Sequence, residues 1–390
     1  MTDGLARISI WRRNALLTGL VASAVSMAAF FVDREQLLRS YLYAAIYWTG
    51  IAIGCLGILL LHHTVGGKWG LVIRRLCEAG ARTLPYAAIF FVPILLAIPA
   101  IYVWASAESA HDPMIESKRA YLNVPFFTAR TIFYFSVWTL YTSLLSRWSA
   151  KQDEAFDENI NSKMRAVSAP GLIVFVFTAT FAFIDWIMSL SPEWFSTIYG
   201  AMFIIGQILS AFALVIGLVI ALSRLEPALQ QFITPQHYHD LGNLLLAFTV
   251  LWAYLSLSQF LIIWSGNLPE EVPWYVTRLS GGWGIIAGFL VVFHFFLPFL
   301  LLLQRQVKRR PEMLQKVCLL MLGVRLVDVY WVVQPSLNAG HPRIHWTDIV
   351  TPIAVGGLWL GVFFWQLGMR PLAPFSDPQL LVAPRETVAR

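Results

Sequence analysis

Apolar residues fall along this chain in long unbroken runs separated by short polar segments. A hydrocarbon core about 30 Å thick takes ~20 apolar residues per helix, and lipid tolerates no unpaired backbone, so each run predicts a spanning helix. Such runs lie near 14–32, 41–61, 85–104, 126–146, 169–189, 198–222, 241–264, 282–303, 316–334 and 350–368. The pattern predicts an all-α integral membrane protein with about ten transmembrane helices, read as one membrane domain over 1–390.

Composition supports this pattern. Of 390 residues, 58% are hydrophobic and 13% charged, and the mean hydropathy is +0.65, outside the range of soluble chains. The net charge of +6 does not point to nucleic acid, because the basic residues sit in short segments between apolar runs rather than in a patch. Counted in alternate segments, Lys and Arg number 20 on the side of the two termini and 6 on the other, with Arg130 and Arg325 inside runs. That bias predicts cytoplasmic termini. Arg7, Arg12 and Arg13 before an apolar run that contains Ala22-Ser23-Ala24 imitate a secretory signal, but the run continues to Val32, so an uncleaved helix is expected. The outer segments Ser191–Phe195 and Leu268–Tyr275 set aromatic residues beside helix breakers and read as structured caps. The segment 147–168 reads as a polar loop, and 371–390 as a flexible or partner-bound tail.

Candidate chemistry comes from the few ionisable groups inside the runs, since these are costly in lipid and are usually paired or functional. Arg325 and Asp328 are three residues apart and share a helix face near mid-membrane. They form either a self-neutralising structural pair or an acid tuned by its neighbouring cation. His294 is also near mid-membrane, as a proton-exchanging imidazole or as a donor between helices. Asp185 and Arg130 match in depth on consecutive helices and predict an interhelical pair. His62-His63, His237, His239 and Asp240 lie at the cytoplasmic interface, where they are either solvated or feed protons inward. Gln207, Gln259, Tyr254, Ser256, Ser258, Tyr134, Thr139 and Tyr141 add polar groups at intermediate depth. The candidate proton-pathway residues are thus Asp185, His294, Arg325, Asp328, Arg130, His239 and Asp240.

Other chemistries lose support. Cys55, Cys77 and Cys318 are far apart and form no CxxC or CxxCH, so no covalent haem, iron–sulfur cluster or zinc is expected on this chain. No mid-depth His pair exists to hold haem, and no GxxxxGKS, GxGxxG, HExxH or GxSxG motif occurs in a usable context.

Several strings form a recognisable set: Phe183-Ile184-Asp185-Trp186-Ile187-Met188-Ser189-Leu190 with Pro192 and Trp194-Phe195-Ser196-Thr197, and His237-Tyr238-His239-Asp240-Leu241-Gly242. Phe248, Trp252-Ala253-Tyr254, Ser258-Gln259-Phe260, Ile263-Trp264, Asn267-Leu268-Pro269-Glu270-Glu271 and Arg325-Leu326-Val327-Asp328-Val329-Tyr330-Trp331 with Pro335 continue it. Over nearly its whole length the chain resembles the F subunit of bacterial alternative complex III, a quinol:electron-acceptor oxidoreductase, within the polysulfide-reductase/NrfD-like membrane subunits. The resemblance implies two four-helix bundles, over 41–189 and 198–334, with peripheral helices at 14–32 and 350–368. It implies a homologous C-type membrane subunit, an iron–sulfur/molybdopterin-enzyme-like subunit and c-type haem subunits as partners, with lipids and a terminal oxidase as further neighbours. Haem c and iron–sulfur clusters would then sit in those partners, quinone being the one small molecule left open for this chain. The implied role is support of quinol oxidation toward cytochrome c or a similar carrier, with proton conduction, and the implied location is the bacterial inner membrane. Glu193 departs from the family, which usually has His after that proline.

Two other readings stand beside this one. A purely structural anchor of the same complex would need none of the ionisable residues for turnover. A secondary transporter would call for Gly/Pro-broken helix pairs in corresponding halves, which the chain lacks, although Pro93 and Pro99 do interrupt one run.

Overall fold

The computed structural model describes residues 3–338, 340–374 and 378, so the tail expected over 371–390 lies almost wholly outside the described residues. Twelve helices organise the chain: α1 (Asp3–Val32), α2 (Arg34–Val65), α3 (Lys68–Ala81), α4 (Leu84–Leu96), α5 (Val124–Glu154), α6 (Glu158–Trp186), α7 (Tyr199–Ser223), α8 (Pro235–Gly266), α9 (Val272–Leu279), α10 (Trp283–Leu303), α11 (Pro311–Leu337) and α12 (Thr347–Leu367). Among the described residues there is no strand, and nine helical segments are long and apolar enough to cross a membrane. Helix α5 is the tenth long span, with 31 residues. Its Arg130, Tyr134, Ser136, Thr139 and Ser143 lower its apolarity without shortening it. The chain is thus an all-α, multi-pass membrane protein of about ten spans.

Helices outrun the apolar runs that announce them. Helices α5 and α6 leave only 155–157 between them, so most of the expected loop over 147–168 is helical. Polar residues at helix ends can stay helical in water when the first amides are capped, and Asp157 accepts from the Asn159 amide at 2.8 Å. By contrast, the run over 85–104 breaks at Ala97 into Leu84–Leu96 and the short Ile98–Ile101. Pro93 and Pro99 each lack the N–H that a continuous helix needs there.

Two rings of four helices form the body. In one, α2, α4, α5 and α6 pack each against the next; in the other α7, α8, α10 and α11 do the same, and α2 meets α7 between them. This position explains why α2 and α7 are apolar all round: 89% and 83% of their most apolar stretches are buried, against 22% for α1. Helices α1 and α12 lie outside the rings, pack against each other and rest on α2. Their approach is close enough that a Cβ on Gly357 would come within 2.5 Å of the Gly19 backbone, as small residues permit between membrane helices. The Trp48 indole donates to the Pro352 carbonyl at 2.9 Å and ties α12 to α2.

The segment between the second and third expected spans is not a solvated loop. Helix α3 is buried from Gly70 to Ala81. The charges counted there as loop cations therefore include two buried arginines, Arg74 and Arg75, which share Glu78 as counter-ion at 3.0 and 2.6 Å. The spacings i,i+4 and i,i+3 place all three on one helix face, and mutual neutralisation is what lets so charged a stretch be enclosed.

Candidate functional site

Each bundle ends on a helix that carries an aspartate seven residues before a proline: Asp185 before Pro192, on α6 and the chain just after it, and Asp328 before Pro335, on α11. The two ends meet, with the Ser191 and Ser336 hydroxyls 3.1 Å apart. The environments of the two acids differ.

In the first bundle, Arg130 on α5 grips Asp185 with both prongs, Nε to Oδ2 at 2.8 Å and Nη2 to Oδ1 at 2.9 Å. The Tyr134 hydroxyl donates to the same Oδ2 at 2.7 Å. The remaining guanidinium nitrogen donates to the Tyr121 carbonyl at 2.9 Å, and the group lies 3.8 Å from the Tyr121 ring and 4.2 Å from Phe126. This is the interhelical pair expected from matched depth. Every charged atom has a partner, Asp185 is fully buried, and the bidentate geometry holds both side chains in one arrangement. Such a site locks α5 to α6.

The second bundle is built differently. Arg325 and Asp328 form a hydrogen-bonded ion pair within α11, as their spacing predicts, and Arg325 Nε reaches Ser210 on α7 at 3.3 Å. Gly206 makes room for this guanidinium, since a Cβ there would lie 2.5 Å from Arg325 Nη2. The pair does not close on itself. It lines a cavity of about 640 Å³ between α7, α8, α10 and α11, whose other walls are largely aromatic, among them Trp252, Phe260, Trp274, Tyr275 and Trp331. An apolar chamber with one ionic corner is the usual form of a site for a lipophilic molecule with a polar head.

His294 stands behind one wall of this chamber. It is fully buried, its ring is edge-on to Trp252 at 3.8 Å, and neither ring nitrogen has a hydrogen-bond partner among the described residues. Its place in the helix is unusual, because Val291–Phe296 form a π-turn. Pro298 has no N–H for the His294 carbonyl four residues back and its ring crowds that oxygen, so the helix widens at this point. Flanking residues Val291, Phe295 and Phe296 line the chamber. Arg325, Asp328 and His294 thus come together around Trp252.

Other expected residues lie elsewhere. His239 and Asp240 are half-buried, 3.7 Å apart at the start of α8. Twelve residues separate Asp240 from Trp252, which is ~18 Å along a helix. Asp240 is held by Gln236 at 2.8 Å and His239 by Asn243 at 3.3 Å, so neither joins the chamber. Glu193 is exposed. Tyr254 and Ser256 do line the chamber. Gln207 and Gln259 do not, although both are buried with their amide groups unpaired among the described residues.

By its place between apolar runs Arg278 reads as a loop cation, yet it is buried beside the chamber. It stacks on Trp274 at 3.7 Å and donates to the Val332 carbonyl at 2.6 Å and Ser336 at 2.7 Å. Its four-residue spacing from Trp274 on α9 was the available signal, since such pairs share a helix face. No family model matches this chain, and no curated protein matches its sequence.

Proposed function

We propose that this chain is a membrane subunit of a quinol-oxidising electron-transfer complex of the bacterial inner membrane, with both termini cytoplasmic, and that its second bundle handles protons. The observation that carries the reading is the Arg325–Asp328 pair at the edge of an apolar chamber, with His294 behind the same wall and without a hydrogen-bond partner among the described residues. Oxidation of a quinol releases two electrons and two protons. Asp328 is a carboxyl group at the chamber's edge able to take up such a proton, and the His294 imidazole nearby is the next group able to carry it. Electrons would pass to iron–sulfur clusters and c-type haems in partner subunits and on to cytochrome c or a similar carrier. The homologous C-type membrane subunit is the expected neighbour.

The chamber also suits the quinol ring itself, with aromatic walls around a single ionic corner. The anchor reading draws on a different observation, the saturated Arg130–Asp185 pair, and applies to the first bundle. In the assembled complex reconstituted in vesicles, Asp328→Asn should lower proton release per quinol oxidised while assembly is kept. Unchanged stoichiometry and turnover in this variant would remove the proton role and leave the anchor.

A further inference from the structure

A second large concavity, of about 830 Å³, runs between α4 and α5 on the outside of the first bundle and shares no residue with the chamber. Its walls are apolar, with Ile89 and Val92 from α4 facing Ile132 and Leu140 from α5, all four exposed. One end carries a charge. Arg147 lines the groove, is exposed, and has no ion pair or hydrogen bond among the described residues. One turn deeper, Ser143 also lines the groove with a free hydroxyl, whereas Ser136 further in spends its hydroxyl on the Ile132 carbonyl at 2.7 Å. Arg147 lies toward the end of α5 that packs near Arg75, where Arg75 pairs with Asp153, and so at the basic face of the molecule.

We propose that this groove is a binding site for one anionic phospholipid, with its phosphate at Arg147, an ester carbonyl at Ser143 and an acyl chain along the α4–α5 seam. Charge complementarity selects the occupant: an unpaired cation such as Arg147 at the headgroup level of an apolar groove favours an anionic headgroup over a zwitterionic one. The depths agree. Arg147 to Thr131 spans ~24 Å of helix, more than the ~15 Å of hydrocarbon in one leaflet, so a chain anchored at Arg147 stays in the groove throughout. The Ser143 hydroxyl lies ~6 Å below Arg147, where the glycerol esters follow the phosphate. A lipid held here would brace α4, which Pro93 and the break at Ala97 weaken, against α5. The site stands apart from the proposed proton role and does not depend on it.

The test uses the full-length protein extracted from membranes, delipidated in detergent and titrated with phosphatidylglycerol or phosphatidylcholine under native mass spectrometry. A single tightly held phosphatidylglycerol is expected, with Arg147→Gln weakening it roughly fivefold and erasing the preference over phosphatidylcholine. Thr139→Phe fills the groove and should abolish the adduct even if Arg147→Gln were poorly expressed. Adducts that persist unchanged in both variants would overturn the site. So would efficient cross-linking of Ser143→Cys to another polypeptide in native membranes, because the groove would then be a protein interface.

Discussion

Asp185 and Asp328 hold matching positions at the ends of successive four-helix bundles, yet Asp185 is saturated by Arg130 and Tyr134 while Asp328 borders an open chamber. The two acids sit in different surroundings, one closed off by packing and one beside a cavity. The chemical difference is small: the guanidinium comes from a neighbouring helix in the first bundle and from the same helix in the second.

Removing one member of the closed pair should damage the fold. Asp185→Leu leaves Arg130 buried with no counter-charge, and the expected loss is about 3 kcal/mol. Replacing both, as Arg130→Leu with Asp185→Leu, should recover most of the stability. Thermal unfolding in detergent, followed by size-exclusion, reads both; a double variant no better than the single one would contradict the assignment.

Gly206 should be intolerant of branching for a functional reason. Gly206→Val places carbon where Arg325 Nη2 now lies, and overpacking of this kind costs about 1–3 kcal/mol. Arg325 is then pushed off Ser210 and toward the chamber. The expected outcome is a subunit that still assembles but supports reduced quinol turnover, measured in purified complex against the wild type.

His294→Phe separates packing from proton exchange. The ring sits edge-on to Trp252 without a hydrogen bond among the described residues, so phenylalanine fills the same space and stability should hold within about 1 kcal/mol. Proton release in vesicles should fall. Stability that drops with proton release untouched would make His294 a structural residue.

Glu78 should prove more sensitive than any surface acid. It is the counter-ion of Arg74 and Arg75 and also lies 3.5 Å from Arg370. Glu78→Gln leaves an excess of buried positive charge between α3 and its neighbours, and loss of one partner of such a cluster costs about 3–5 kcal/mol. Yield of folded protein from membranes should collapse, with partial rescue by adding Arg75→Gln.

Much of this protein follows from the order of its residues. The number of spans, their all-α character and the Arg325–Asp328 pair are legible, because lipid demands long apolar helices and because a three-residue spacing fixes two side chains on one face. The Arg130–Asp185 pair was legible too, through matched depth on consecutive helices. Tertiary structure alone decided which charges are buried and which polar residues converge. Arg74, Arg75 and Arg278 look like loop cations in sequence, and only packing shows them enclosed by Glu78 and by Trp274. His239 and Asp240 are further ionisable candidates in sequence, yet helix rise sets Asp240 ~15 Å from Val250, the first residue of α8 to line the chamber. Hydropathy measures how a segment partitions into lipid, residue by residue. Whether a polar group meets a partner, a cavity or water depends on the neighbours that the fold brings to it.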